Sequence, residues 1–154
     1  MKKILTVGLI GVIVGLVIYQ WLHKDIWDVN RELLKTAVIE MEDSEPVKLS
    51  DVTPFDWDYV YSFTPYVSKD EVYEAVGYKW DTIQETVSEG MNQLVFMKDD
   101  QVVCYLYGYP QNNGFGIYME SAEYGEPFVK LYANEDSMFK REMMEDAVIL
   151  TQIE

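Results

Sequence analysis

Hydrophobic residues are spread unevenly along the chain, and the longest uninterrupted apolar stretch lies at its start. Lys2 and Lys3 precede nineteen uncharged residues that run from Ile4 to Leu22. As a helix rising about 1.5 Å per residue, this stretch spans roughly 28 Å, close to the thickness of a bilayer's hydrocarbon core. It is longer than the apolar part of a cleaved signal peptide, and no small-residue cleavage site follows it. The sequence therefore predicts an uncleaved transmembrane signal anchor over residues 1–23.

The charges that flank this segment predict its orientation. Lys2 and Lys3 lie before it, whereas the single Lys24 beyond it is followed by Asp25 and Asp28. Positive charge favours the cytoplasmic side of a membrane helix. We therefore expect a single-pass protein of the cell membrane, with its N-terminus in the cytoplasm and the rest of the chain outside.

Small residues recur at helical spacing inside the apolar segment. Gly11 and Gly15 form a GxxxG pair, and Gly8 lies one turn earlier. This spacing clears one face of a membrane helix for close contact with another helix. A homodimer through this glycine face is an alternative that the sequence leaves open.

The next segment has the three-to-four-residue spacing of an amphipathic helix. Between Asp25 and Met41, apolar residues recur on one face: Ile26, Trp27, Leu33, Leu34, Ala37, Val38 and Met41. This face is expected to pack on the chain's own domain, and pairing with a second copy as a short coiled coil is the alternative. Residues 24–46 are thus predicted to form a connecting helix and an acidic linker, and residues 47–154 the extracytoplasmic domain.

The outer domain begins with a strict alternation and then a helix signal. Aromatic residues occupy every second position at Phe55, Trp57, Tyr59, Tyr61 and Phe63, which predicts a strand with one aromatic face. Soon afterwards, a Ser-x-x-Glu capping box predicts the start of a helix and a glycine predicts its end, at Ser68, Glu71 and Gly77.

The remaining apolar runs predict further strands. They cover residues 93–97, 102–109, 115–119, 128–132, 138–144 and 147–153, with turns at 98–101, 110–114 and 145–146. In the second run, Val102, Cys104 and Leu106 should point one way, and Val103, Tyr105, Tyr107 and Tyr109 the other. Residues 78–90 are compatible with a helical turn, through Trp80, Ile83 and Val87, and also with a strand, so both alternatives stay open. The order predicts an α+β domain in which one helix packs on a face of an antiparallel sheet of hairpins.

Charge and rare residues exclude several function classes. The chain has 27 acidic and 12 basic residues, and its net charge of −15 repels nucleic-acid phosphates. The sole histidine, His23, lies at the membrane boundary, so neither histidine-based catalysis nor a histidine metal site is expected. Cys104 stands alone in an apolar run, which indicates a buried thiol. No nucleotide-binding loop occurs, and we expect no cofactor or metal.

Tyrosine and tryptophan supply the candidate binding residues. The cluster that the predicted strands and loops could bring together comprises Tyr66, Trp80, Tyr105, Tyr107 and Tyr109. Such rings give rigid contact area with a polar handle, as recognition surfaces require. The alternative is that they fill the core of a small domain.

Two stretches carry a resemblance to a group of proteins. Residues 54–66 (PFDWDYVYSFTPY) with 68–77, and residues 90–96 with 102–110, resemble small membrane-anchored extracytoplasmic proteins of Gram-positive bacteria. That group has no assigned activity, so the resemblance implies only location and class.

The expected function is therefore non-enzymatic. The leading hypothesis is a cell-surface binding or accessory protein that presents tyrosines to a protein, a peptide or an envelope component. One alternative is an immunity or resistance protein whose acidic surface sequesters a cationic toxin or peptide. A hydrolase that uses a pair of carboxylates is the third.

Overall fold

The computed structural model describes residues 25–42, 45–120 and 125–153. The predicted anchor from Ile4 to Leu22, with Gly8, Gly11 and Gly15, lies outside these described residues. Within them, no helix combines the length and the apolar character needed to cross a membrane.

Four helices are described, and the first is the longest: α1 (Ile26–Glu40), α2 (Leu49–Val52), α3 (Lys69–Val76) and α4 (Pro110–Asn113). The predicted amphipathic helix is confirmed in α1, whose Leu34 and Val38 are fully buried. The side-chain amide of Asn30 donates to the carbonyl of Val103, 2.9 Å away. The helix therefore packs on its own domain and belongs to the domain's hydrophobic core.

Eight strands in the described residues form two sheets: β1 (Val47–Lys48), β2 (Tyr59–Phe63), β3 (Asn92–Lys98), β4 (Gln101–Gly108), β5 (Phe115–Tyr118), β6 (Phe128–Tyr132), β7 (Met138–Met144) and β8 (Ala147–Ile153). One sheet has the order β4-β3-β2-β6 and is antiparallel throughout. The other has the order β1-β7-β8-β5, in which β5 runs parallel to β8. The α+β class is confirmed, but the single antiparallel sheet was wrong.

The reason for two sheets lies in β3. Its residues from Asn92 to Met97 are all buried, so both of its faces need cover. On one face, the second sheet and α1 complete a core that includes Leu34, Val60, Leu94, Phe96, Leu106, Phe115, Ile117, Phe139 and Leu150. On the other face, α3 and residues 78–90 complete an outer core that includes Tyr61, Phe63, Val72, Val76, Ile83, Val95, Met97 and Tyr105.

The predicted ends of α3 are confirmed. The Ser68 hydroxyl accepts from the backbone N–H of Glu71 (3.3 Å), and the Glu71 carboxylate accepts from the backbone N–H of Ser68 (3.0 Å). Gly77 ends the helix at φ 93°, a conformation that glycine adopts without a Cβ clash. This seats the helix over the outer face of β2 and β3.

The predicted continuous aromatic face from residue 55 to 63 was wrong. The strand begins at Tyr59, while Phe55 and Trp57 turn to the core between the sheets and pack edge-on against Phe96. The chain bends at Asp58, whose carboxylate accepts from the Lys98 ammonium (2.6 Å) and the Asp99 N–H (2.9 Å). This bend breaks the two-residue alternation.

The predicted facing of two residues in β4 was also wrong. Phe96 pairs with Cys104 and Met97 with Val102, so Val103 is an extra residue in a β-bulge. Val102 consequently joins the outer core, and Val103 packs against the core between the sheets. Beyond the bulge, Cys104, Leu106 and Tyr105 face as predicted.

Candidate binding surface

The predicted tyrosine cluster is brought together only in part, and its central ring is covered. Tyr105 lies 5.4 Å from Trp80 and 6.0 Å from Tyr107, measured between ring centroids, and is 4% exposed. Trp27 of α1 packs on Trp80 at 5.3 Å. These rings belong to or pack against the outer core.

Their hydroxyl groups hold the irregular residues 78–90 in place. The Tyr105 hydroxyl accepts from the backbone N–H of Gln84 (3.1 Å) and from the side-chain amide of Gln93 (3.2 Å). The Tyr107 hydroxyl donates to the carbonyl of Glu85, 2.8 Å away. Tyr105 is buried, and a buried hydroxyl needs such partners. The two tyrosines thus attach residues 84 and 85 to β4.

The other two predicted residues lie apart from this cluster. Tyr66 is 64% exposed and Tyr109 is 38% exposed. Within the described part of the chain, neither ring contacts another aromatic ring. The five predicted residues therefore do not form one surface.

The burial of Tyr105 gives a pH-dependent prediction. Burial raises the pKa of Tyr105 to about 12, against hydrogen bonds from Gln84 and Gln93 that lower it. Because the folded pKa lies above the unfolded value of about 10, this contribution to stability is complete below pH 10 and is lost as the pH rises to about 12. We expect the urea midpoint of Tyr105→Phe to fall less over this window than that of the parent chain.

Tyr66→Phe is the matched control for this titration, because it removes a phenol that is mostly exposed. Its urea midpoint should follow that of the parent chain over the same pH range. If the urea midpoints of the parent chain and of Tyr105→Phe depend equally on pH, the raised pKa of Tyr105 is contradicted.

A different set of tyrosines forms a partly exposed surface where β2 meets β6. The register places Tyr59 opposite Tyr132 and Tyr61 opposite Lys130, and alternation turns these side chains to the same side of the sheet. The Lys130 ammonium lies 3.7 Å from the ring centroid of Tyr59, 4.9 Å from that of Tyr132 and 5.2 Å from that of Tyr61. We call these four residues the tyrosine face.

The tyrosine face stabilises the positive charge of Lys130. Burial alone would lower the pKa of Lys130, but hydrogen bonds and charge interactions with Tyr132 and Tyr61 outweigh it and raise the pKa. Among the described residues, no carboxylate forms an ion pair with Lys130. The ring faces therefore stabilise this charge by cation–π contact.

The tyrosine face is graded from buried to exposed. Tyr61 is buried beneath Lys130, Tyr59 is half-buried, and Tyr132 is 45% exposed. Burial, and then a hydrogen bond to Asp100 (3.2 Å), raises the pKa of Tyr59. The tyrosine face thus has a buried, ordered part at Tyr61 and a solvent-accessible part at Tyr132.

A cleft lies at the end of the two sheets, close to where β2 ends and β3 begins. Its volume is about 210 Å³, and its lining includes Ser62, Asn92, Tyr118, Glu120 and Val129. Glu120 is the one carboxylate among its lining residues. Across residues 25–42, 45–120 and 125–153, no three His, Cys, Asp or Glu side chains are grouped so as to hold a metal ion.

The tyrosine face is therefore the arrangement best suited to recognition, since it combines ordered rings, a held cation and an accessible edge. Comparison of the chain with protein-family models, with curated proteins and with solved structures gave no match.

Proposed function

We propose that this protein is a membrane-anchored, extracytoplasmic and non-enzymatic binding or accessory protein. Its tyrosine face binds a protein, a peptide or an envelope component. Three tyrosine rings ordered around Lys130 of the edge strand β6 carry the proposal. Tyrosine rings provide large contact area and a hydroxyl group at little cost in conformational entropy.

The order of the rings supports binding because little side-chain freedom is left to lose. Tyr59 packs edge-on against Tyr61 at 5.5 Å and against Tyr132 at 6.0 Å. Its hydroxyl is held by Asp100. Ordering rotamer-rich side chains costs about 0.5–1.5 kcal/mol each on association, and this cost is already met in the free protein.

The sequence supports the location. The uncharged segment from Ile4 to Leu22 is long enough for a bilayer, and the lysines precede it. Only three residues separate Leu22 from Ile26, the first residue of α1. At about 3.5 Å per extended residue, the start of α1 lies within roughly 15 Å of the end of the apolar segment.

Site-specific photo-crosslinking on living cells tests the proposal. The full chain would carry a photoreactive phenylalanine analogue in place of Tyr132 or, as a matched control, of Tyr66, since both tyrosines are exposed. We expect a covalent adduct from position 132 and little or none from position 66. Adducts from position 66 alone, or in equal amount from both positions, would overturn the tyrosine face as the binding surface.

A second candidate is sequestration of a cationic toxin or peptide, which the net charge of −15 favours. One acidic side chain adjoins the tyrosine face, since Tyr59 donates to Asp100. Salt separates the two functions, because screening weakens capture of a cation far more than docking of apolar rings. An adduct at position 132 that disappears above physiological ionic strength would favour sequestration.

A further inference from the structure

The edges of the two sheets are protected unequally. An exposed edge strand invites pairing with another chain, so proteins usually cover or interrupt it. The edge of β4 is covered by α1, where Asn30 donates to the carbonyl of Val103. At the edge of β5, the backbone N–H of Ile117 donates to the side chain of Asn92 (2.9 Å). The edge strand β1 is only two residues long, which leaves β6.

Among the described residues, the backbone of β6 presents a short row of hydrogen-bonding groups without a partner. Pro127 accepts from the N–H of Thr64 (3.0 Å), and the N–H of Ala133 donates to Asp58 (2.9 Å). Backbone groups alternate in direction along a strand, so those of Val129 also face β2. The N–H and C=O groups of Phe128 and Lys130 therefore face away from the sheet.

The row of open backbone groups ends at Tyr132, and the charge of Lys130 does not protect it. The N–H of Tyr132 donates to the side chain of Glu135 (3.3 Å), so it is not open. Lysine commonly protects an edge by projecting its charge. Here the Lys130 ammonium is folded over the ring of Tyr59 at 3.7 Å, which leaves half-buried Phe128 and Val129 beside the edge.

We propose that a second copy of this chain occupies the edge, with the two β6 strands paired antiparallel about Val129. This register places Phe128 opposite Lys130 of the second copy, twice, and forms four backbone hydrogen bonds from the two open residues of each strand. Each Lys130 ammonium stays over Tyr59 of its own copy, and its aliphatic stem lies opposite Phe128 of the other copy. Pairing about Lys130 would instead bring two ammonium groups directly opposite each other, which is unfavourable.

The paired strands would join the two β4-β3-β2-β6 sheets into one sheet of eight strands. The twofold axis is perpendicular to this sheet, so both tyrosine faces lie on the same side. Each copy carries a net charge of −15, and the copies repel until salt screens that charge. Association should therefore strengthen as ionic strength rises, opposite to the capture of a cationic peptide.

Cysteine crosslinking of the full chain in its native membrane tests the register. Across the proposed axis the two Val129 residues form a non-hydrogen-bonded pair, with Cα atoms about 4.5 Å apart, which suits a disulfide. The two Lys130 residues lie diagonally, about 7–8 Å apart, which is too far. Under mild oxidation we expect Val129→Cys to give about tenfold more covalent dimer than Lys130→Cys, given these separations. The native Cys104 is buried, and burial raises its pKa, so it should not react.

A proline variant separates strand pairing from chance collision. The N–H of Lys130 faces away from β2, so Lys130→Pro removes a donor to the second copy and none to β2. Added to Val129→Cys, Lys130→Pro should abolish the dimer while circular dichroism remains that of the parent. Lys130→Ala keeps the N–H and should preserve most of the dimer.

Three outcomes would overturn the proposal: no dimer from Val129→Cys, equal dimer from Lys130→Cys, or a disulfide to a different protein. If Lys130→Pro alters the circular dichroism, the ratio of Val129→Cys to Lys130→Cys dimer still decides. Dimerisation is measured by a disulfide at Val129, and partner binding by an adduct at Tyr132 to a molecule other than this chain, so the two proposals fail separately.

Discussion

Phe96→Ala should lower the free energy of unfolding by about 3–5 kcal/mol, the usual cost of removing a fully buried phenylalanine. Phe96 is 0% exposed and lies in the core between the sheets. Its ring centroid lies 5.4 Å from that of Trp57 and 5.6 Å from that of Phe55, both edge-on. The substitution removes two aromatic contacts and leaves a cavity. Urea unfolding of the full chain in detergent micelles, followed by tryptophan fluorescence, measures the loss.

Val87→Ala is the matched control for this experiment, because Val87 is 72% exposed. Surface substitutions of this kind usually change stability by less than about 0.5 kcal/mol. A loss below about 1 kcal/mol for Phe96→Ala, well under the usual cost of a buried phenylalanine, would contradict the packing of the two sheets around this ring.

Gly116→Ala should lower the free energy of unfolding by about 2–3 kcal/mol, as overpacking of a filled interior does. A Cβ at Gly116 would lie 2.7 Å from Oδ1 of Asn92 and 2.7 Å from Cγ of Pro110. The same Asn92 oxygen accepts from the N–H of Ile117, so moving it aside breaks a hydrogen bond that links the two sheets. The same urea titration measures the effect.

Gly77→Ala is the comparison for this substitution, because a Cβ at Gly77 meets nothing within 4 Å. Its left-handed backbone makes alanine unfavourable by about 1 kcal/mol. If Gly116→Ala costs no more than Gly77→Ala, the close approach of β5 to Asn92 and Pro110 is not as described.

Local signals in the sequence predicted the elements well. The capping box at Ser68 and Glu71 satisfies backbone groups within a single turn, so these two residues suffice to recognise it. The hairpin of β7 and β8 has only Glu145 and Asp146 between its strands. Contacts of this kind join residues that are close in the sequence, so a local sequence pattern predicts them.

Pairings between distant strands could not be predicted from periodicity. β2 pairs with β6 across more than sixty residues, and β5 pairs with β8 in parallel. An apolar pattern shows that a strand is covered on both faces, but not by which element. The bulge at Val103 and the bend at Asp58 likewise depend on the strand alongside.

Because strand pairings could not be predicted, the sequence predicted the wrong set of tyrosines as the candidate binding surface. Alternation correctly put Tyr105 and Tyr107 on one face of β4, yet it could not show that Trp27, Trp80 and residues 78–90 cover that face. The tyrosine face exists only because β6 lies beside β2, which brings Lys130 and Tyr132 to Tyr59. The sequence shows only the alternation within each of the two strands. The pairing of β2 with β6 then brings the residues of the tyrosine face together.

We propose that an uncleaved apolar segment holds this acidic domain outside the cytoplasm. The most direct test is protease treatment of intact cells that produce the full chain with a C-terminal tag, with a variant lacking residues 4–22 as the control. We predict that the full-length chain remains in the membrane fraction and that added protease removes its tag without cell lysis, whereas the control leaves the membrane fraction. A shortened polypeptide free in the medium, or a tag that is protected until the cells are lysed, would contradict the account.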